Sequence, residues 1–409
     1  MIRLLSLCLS GLLCSVSLAA DWPQFLGPQR TGVSAETGLL KQWPATGLKE
    51  VWRVPGGVGM SAVAVADGKA LTMVQDAQNQ SVLALSAKTG ETLWRTPVAS
   101  GYRNGQGNGP RATPTIVKDR VYTYTGEGVL TALNLADGKV LWAVDAVKKF
   151  SAKPADYGMA SSPLAVGQAV IVTVGGAGSA VVAFSAADGS VLWKQGAERT
   201  GYASPALLNV AGKQQVVAFT GSAALGLDPS SGEALWKFPF KTDYDCNTAN
   251  PLSIDGKIFL SAGESHGSVL LAASVKDGAW SVAPTWSSLG RESVMRNEWQ
   301  TSILQGEYLY GLDNVGSAGP VTHLACIEAA TGKRVWSQTR FGKSNLISAD
   351  GKLFFTTMKG EVVIVQATPK GYQELGRQKV LGQTRQAPSL ANGLLYVRDD
   401  REIVCLDVR

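Results

Sequence analysis

The feature that most constrains this chain is a phrase that returns along its length: an apolar strand, a tight turn containing glycine, then a short strand ending in tryptophan. It reads VLALSAKTGETLW to Trp94, LTALNLADGKVLW to Trp142, VVAFSAADGSVLW to Trp193, ALGLDPSSGEALW to Trp236 and HLACIEAATGKRVW to Trp336. Worn copies contain Gly278 and Gly371, and a last copy, EIVCLDVR, ends at Arg409 before its turn. The turn glycines Gly90, Gly138, Gly189, Gly232, Gly278, Gly332 and Gly371 lie 39 to 54 residues apart. A strand-turn-strand phrase precedes each copy, as in AVAVADGKALTMV and PLSIDGKIFLSA. Its Asp-Gly pairs are hairpin turns with positive φ at the glycine. Four short antiparallel strands per unit, repeated at this spacing, are the arithmetic of a β-propeller blade.

The units close at eight. Residues 50–409 amount to 360, or 45 per blade. The eighth copy lacks its fourth strand, and LKEVWRVP around Trp52 is an orphan fourth strand. Pairing 50–54 with 402–407 would close the ring and leave no open edge. The expectation is therefore all-β: one eight-bladed propeller over 48–409, an extended arm over 21–47, and no helix of useful length.

Composition narrows the class. A hydrophobic fraction of 45% excludes a largely disordered chain. The net charge of +6 has no Lys/Arg run behind it, so no nucleic-acid partner is expected. Residues 1–20 read as a signal peptide: Arg3, an apolar stretch over 4–13, then small residues at Ser17, Ala19 and Ala20. The apolar stretch is too short for a transmembrane anchor. Lipidation at Cys14 is the alternative, although Leu13 stands where a lipoprotein signal wants a small residue. A periplasmic or secreted monomer is expected.

The turn phrase resembles the repeat of the PQQ-binding-like β-propeller family, which includes quinoprotein dehydrogenases and BamB-like outer-membrane assembly propellers. DWPQFLGPQRTGVSAETGLLKQWP, GNGPRATPTI and KTDYDCNTANP look like its exported bacterial branch. The resemblance spans essentially the whole mature chain. It is specific for fold and weak for function. It implies that each repeat tryptophan packs against the neighbouring blade. The recurring pairs Gly90/Trp94, Gly138/Trp142, Gly189/Trp193, Gly232/Trp236 and Gly332/Trp336 are accordingly read as structural.

Six residues before each turn glycine stand Ala84, Ala132, Ala183, Gly226, Ala272 and Cys326, with Val365 breaking the pattern; the eighth copy places Cys405 there. A slot for small residues makes Cys326 and Cys405 core hydrophobes. With Cys246 in a loop, no disulfide is expected.

Strand parity places any site. The short turns lie on one face of the ring and the inter-blade links on the other. Several links are long: 97–111, 145–159, 239–247 and 287–298. Long loops on a rigid scaffold are where function concentrates. The residues before the innermost strands are Met60, Arg111, Met159, Tyr202, Asn247, Trp299, Lys343 and Arg385, with Tyr157, Asp245, His266 and Glu298 nearby. Such a mixture suits an anionic or sugar-like ligand; the alternative is a channel plugged by charges that pair with one another. No metal site is expected: DYDCNTAN spaces Asp243, Asp245 and Asn247 like a calcium loop but lacks the sixth-position glycine and twelfth-position glutamate. The two histidines and scattered cysteines have no zinc-ligand spacing, and no nucleophile elbow is visible.

Two functions compete. One is a non-catalytic envelope propeller that binds a protein partner or polysaccharide on its long-loop face and needs no cofactor. The other, implied by the resemblance, is a PQQ-dependent dehydrogenase for alcohols or sugars, with calcium beside the quinone. The family's enzymes carry an adjacent Cys-Cys pair and a calcium site with a catalytic aspartate, and this chain shows neither pattern.

Overall fold

The computed structural model of the protein describes residues 20–316, 319 and 321–409. The signal segment read at 1–20, with its Cys14 alternative, lies outside the described residues apart from Ala20. Among the described residues, 32 strands form eight four-stranded antiparallel sheets arranged as blades. Blades 1 to 7 span residues 64–100, 115–145, 164–195, 206–239, 252–289, 303–338 and 344–379. Blade 8 combines 389–407 with the strand Lys49–Pro55. That strand runs antiparallel to Glu402–Asp407, with Lys49 opposite Asp407, Trp52 opposite Cys405 and Pro55 opposite Glu402. No described helix is long and apolar enough to cross a membrane.

One device repeats around the ring. In all eight blades a β-bulge interrupts the pairing of the outer two strands at the same place. A bulge locally re-aims a side chain, and beside it stands the tryptophan: Trp94 opposite Ala84, Trp142 opposite Ala132, Trp193 opposite Ala183, Trp336 opposite Cys326. The indole then donates Nε1–H to a carbonyl of the next blade's turn. Trp52 reaches Ala87 at 3.0 Å, Trp94 reaches Leu135 at 3.1 Å, Trp142 reaches Ala186 at 3.2 Å and Trp193 reaches Pro229 at 3.1 Å. Each acceptor lies three residues before a turn glycine, so one indole both packs on the turn and satisfies its backbone. Gly90 shows why glycine is needed: it has φ +74, and a Cβ there would press into the Trp52 ring.

Two blades depart from the expected register, and a third changes its tryptophan's hydrogen-bond partner. In blade 5 the outer hairpin is long, Gly267–Lys276 and Ala279–Leu289. The tryptophan beside the bulge is Trp286, opposite Leu270, so Ala272 is not the slot residue. Its displaced turn leaves Trp236 of blade 4 without the usual carbonyl. Trp236 donates instead to Gln215 of its own blade at 2.6 Å. In blade 7 the slot is Ile364, not Val365, because the irregular turn shifts the count by one. The residue opposite Ile364 is Gly376, where other blades carry tryptophan.

The arm crosses one end of the channel. Trp22 bridges Val65 of blade 1, and the Pro23 carbonyl accepts from Ile116 N–H of blade 2 at 2.8 Å. Arg30 is buried and donates to the carbonyls of Ser162 at 3.0 Å and Pro205 at 3.2 Å, leading into blades 3 and 4. Val33 bridges Ser348 of blade 7, and the Glu36 carboxylate accepts from Asn392 N–H of blade 8 at 2.8 Å. Contacts to blades on opposite sides of the ring make the arm a plug. Cys246, Cys326 and Cys405 are unpaired, the last two fully buried.

Candidate functional site

At the opposite end, the long inter-blade links surround a cavity of about 1320 Å³. Arg111, Tyr157, Tyr202, Glu298, Trp299, Lys343 and Arg385 all line it, as does Met60. Phe25 of the arm contributes from the plugged side. Position before an innermost strand therefore brings residues from blades far apart in sequence to one mouth.

Four sequence candidates sit elsewhere. Asn247 is fully buried, and its Nδ2 donates to the carbonyls of Thr220 at 2.7 Å and Phe240 at 2.9 Å. Asp245 turns away to an ion pair with Arg199 at 2.8 Å. His266 packs against Phe240, ring centroids 4.2 Å apart, where burial pulls its pKa below the ordinary histidine value. Met159 belongs to the core between blades 2 and 3. Neighbours of these residues, Tyr244, Cys246 and Thr248, line the cavity in their place.

Trp299 organises the mouth. The Lys343 ammonium lies 4.4 Å and the Arg385 guanidinium 5.0 Å from its ring centroid. Such cation–π contacts hold long basic side chains in place at modest energy. Lys343 also pairs with Glu298 at 2.8 Å, and Asn314 donates to the second Glu298 oxygen at 2.8 Å. Burial pushes the Glu298 carboxyl above the usual range and Lys343 opposes it. Arg111 lies over Tyr102 at 4.6 Å and donates to the Tyr157 carbonyl at 2.8 Å. Tyr157 and Tyr202 stack with centroids 5.7 Å apart, and burial raises both phenols. The Cys246 thiol is pushed up to about 12, mainly by burial, which keeps it a poor nucleophile at neutral pH.

The cavity is not round. It extends over the junction of blades 6 and 7, where Gln338, Arg340, Phe341, Lys359, Glu361, Tyr372 and Arg377 line it. Here the inter-blade link is only residues 339–343, against 101–114 or 146–163 elsewhere. Beside this short link the lining reaches residues of the outermost strands, Gln338 of blade 6 and Glu374 and Arg377 of blade 7. Attention to long links missed these residues; the signal was a short one. Arg377 is tied to Glu361 at 3.0 Å and Glu374 at 2.9 Å.

With this geometry in view, the sequence profile of the family described as outer membrane protein assembly factor BamB matches residues 78–338 and 321–409. Two curated proteins named outer membrane protein assembly factor BamB are similar. That of Moranella endobia (strain PCIT) is 28% identical over 231 residues, covering 51% of this chain and 54% of its own length. That of Burkholderia pseudomallei (strain K96243) is 28% identical over 213 residues, covering 50% and 49%. The chain thus spans about half the length of the curated relatives it matches. Among solved structures, quinohemoprotein alcohol dehydrogenase from Comamonas testosteroni superposes with TM-score 0.68 at 14% identity, over 95% of this chain and 80% of that one. BamB from Moraxella catarrhalis gives 0.59 at 14% identity, over 88% and 97%. At such identities the structures speak to the fold alone. By the extent of the profile match, the chain belongs to the BamB outer membrane protein assembly factor family.

Proposed function

We propose that the protein is an exported cell-envelope scaffold that binds a protein partner or a polysaccharide at its long-loop cavity and catalyses no reaction. The observation that carries this reading is the state of the cavity's functional groups. Glu298, which precedes Trp299 in the chain and lines the cavity with it, is held by Lys343 and Asn314. Such a wall suits holding a ligand more than activating one. The curated relatives carry the name of outer-membrane assembly factors. An envelope location follows that kinship and the signal-like N-terminus.

The quinone reading fits less well. A calcium-bound quinone needs carboxylates free to face the metal and a base beside the reacting carbon. Here an ammonium stands at Glu298 and Arg199 takes Asp245. We therefore read the chain as needing no quinone and no calcium.

Photo-crosslinking tests the binding reading. A crosslinker placed at Arg385 or Tyr244 is expected to capture an envelope component, and the same group at Lys88 on the short-turn face to capture none. Equal labelling from both positions would contradict it.

A further inference from the structure

We infer that the cavity takes the end of an acidic polysaccharide chain, its carboxylates facing the basic side chains around the notch between blades 6 and 7. This rests on the reading of the cavity as a binding site and names its ligand.

Shape is the first argument. A volume of about 1320 Å³ exceeds the ~300–1,000 Å³ typical of small-molecule pockets. The arm obstructs one end, and beside the short link 339–343 the lining reaches the outermost strands, so the space is a cleft with a lateral exit. A polymer end can enter such a cleft and leave over the notch.

Charge is the second. Six basic residues line the cavity against four acidic ones. Glu298, Glu361 and Glu374 are already in ion pairs with Lys343 and Arg377. Arg340 and Lys359 are exposed at the notch, and no ion pair joins them to a carboxylate among the described residues. Arg385 spends one donor on the Gln106 carbonyl, at 2.7 Å, and forms no direct ion pair among the described residues, although its charge acts on Glu298. Guanidinium groups so placed pair well with carboxylates.

The wall chemistry separates sugar from peptide. Extended peptides add to an open strand edge and helices lie in apolar grooves. The innermost strand of blade 7, Ser344–Ala349, is buried throughout and reaches the cavity only at Asn345. Tyr157 and Phe341 offer partly exposed aromatic surface, on which the C–H faces of sugar rings stack, while Trp299 holds Lys343 and Arg385 against its ring.

Calorimetric titration of the full mature chain tests this, with short oligogalacturonate, a neutral cello-oligosaccharide of matched length, and oligoglutamate as probes. The expected result is preferential binding of oligogalacturonate, weakened by salt. The double variant R340A/K359A should weaken it by about tenfold or more, while K88A/K139A leaves it unchanged. Both pairs are exposed, and unchanged circular dichroism and melting verify their folds. Equal affinity for the neutral oligomer, tighter binding of oligoglutamate, or no effect of R340A/K359A overturns the acidic-saccharide assignment. If no saccharide binds while crosslinking at Arg385 still captures an envelope component, this inference alone falls. If both experiments fail, the binding reading falls with it.

Discussion

The indole of Trp43, on the N-terminal arm, packs directly against Gly376, so that a Cβ at 376 would overlap its ring. Gly376 stands beside the bulge of blade 7, where neighbouring blades place tryptophan. The arm thus supplies from outside the repeat the aromatic that the repeat lacks. Trp43→Ala should destabilise the protein by about 2–4 kcal/mol, near the range for large buried aromatics but reduced by partial exposure. Gly376→Ala should cost about 1–3 kcal/mol through overpacking. In the Trp43→Ala background that second cost should vanish. A double-mutant cycle by chemical denaturation checks this; additive effects would show that the two residues do not share one socket.

Ring closure depends on a second pair of distant partners. Arg398 of blade 8 is buried and donates to Thr72 Oγ1 at 2.7 Å and to the Met73 carbonyl at 2.8 Å in blade 1. Arg398→Met should cost about 3 kcal/mol by stranding those acceptors. Deleting 48–54 should do more, exposing an edge strand and driving aggregation. Light scattering of the two variants should separate them: a destabilised monomer for the first, large particles for the second.

Much of the fold was legible because a propeller writes itself as repetition. Trp94 and Gly138 come from adjacent copies, and the family resemblance implied the cross-blade packing that joins them. Trp286 and Trp43 did not follow, for a physical reason. A hairpin lengthened after Ala272 moves the bulge without changing the local pattern, and a socket filled by the arm leaves no trace in the repeat that lacks it. The site was half legible. Parity brought Arg111, Trp299, Lys343 and Arg385 to one mouth. It could not tell that Asn247 would turn inward to two carbonyls or that beside a five-residue link the cleft would extend toward Arg340 and Lys359.

The thiols give a chemical check. Cys246 lines the cavity while Cys326 and Cys405 are buried opposite Trp336 and Trp52. Ellman's reagent should modify Cys246 slowly, since its thiol is pushed up to about 12, and the other two only in denaturant. Non-reducing mass spectrometry should show no intramolecular disulfide; finding one would refute the assignment.

His266 carries a predicted pH dependence. Burial lowers its folded pKa below the ordinary value of 6.5. The unfolded chain then binds the proton more readily, so this group's contribution is fully present above about pH 6.5 and lost as pH falls through and below it. The His266 Cε1–H resonance should titrate below the midpoint of a reference histidine peptide. His266→Phe, which keeps the contact with Phe240, should flatten that part of the stability profile. A midpoint at or above the reference would contradict the burial argument.

The central claim is that this propeller binds at its mouth without turning over a substrate. Dye-linked reduction by purified protein supplied with pyrroloquinoline quinone and calcium, with alcohols and sugars as donors, tests it most directly. The account predicts no bound chromophore after desalting and no dye reduction above the protein-free rate. Turnover by the native protein that disappears in Glu298→Gln or Asp245→Asn would contradict it.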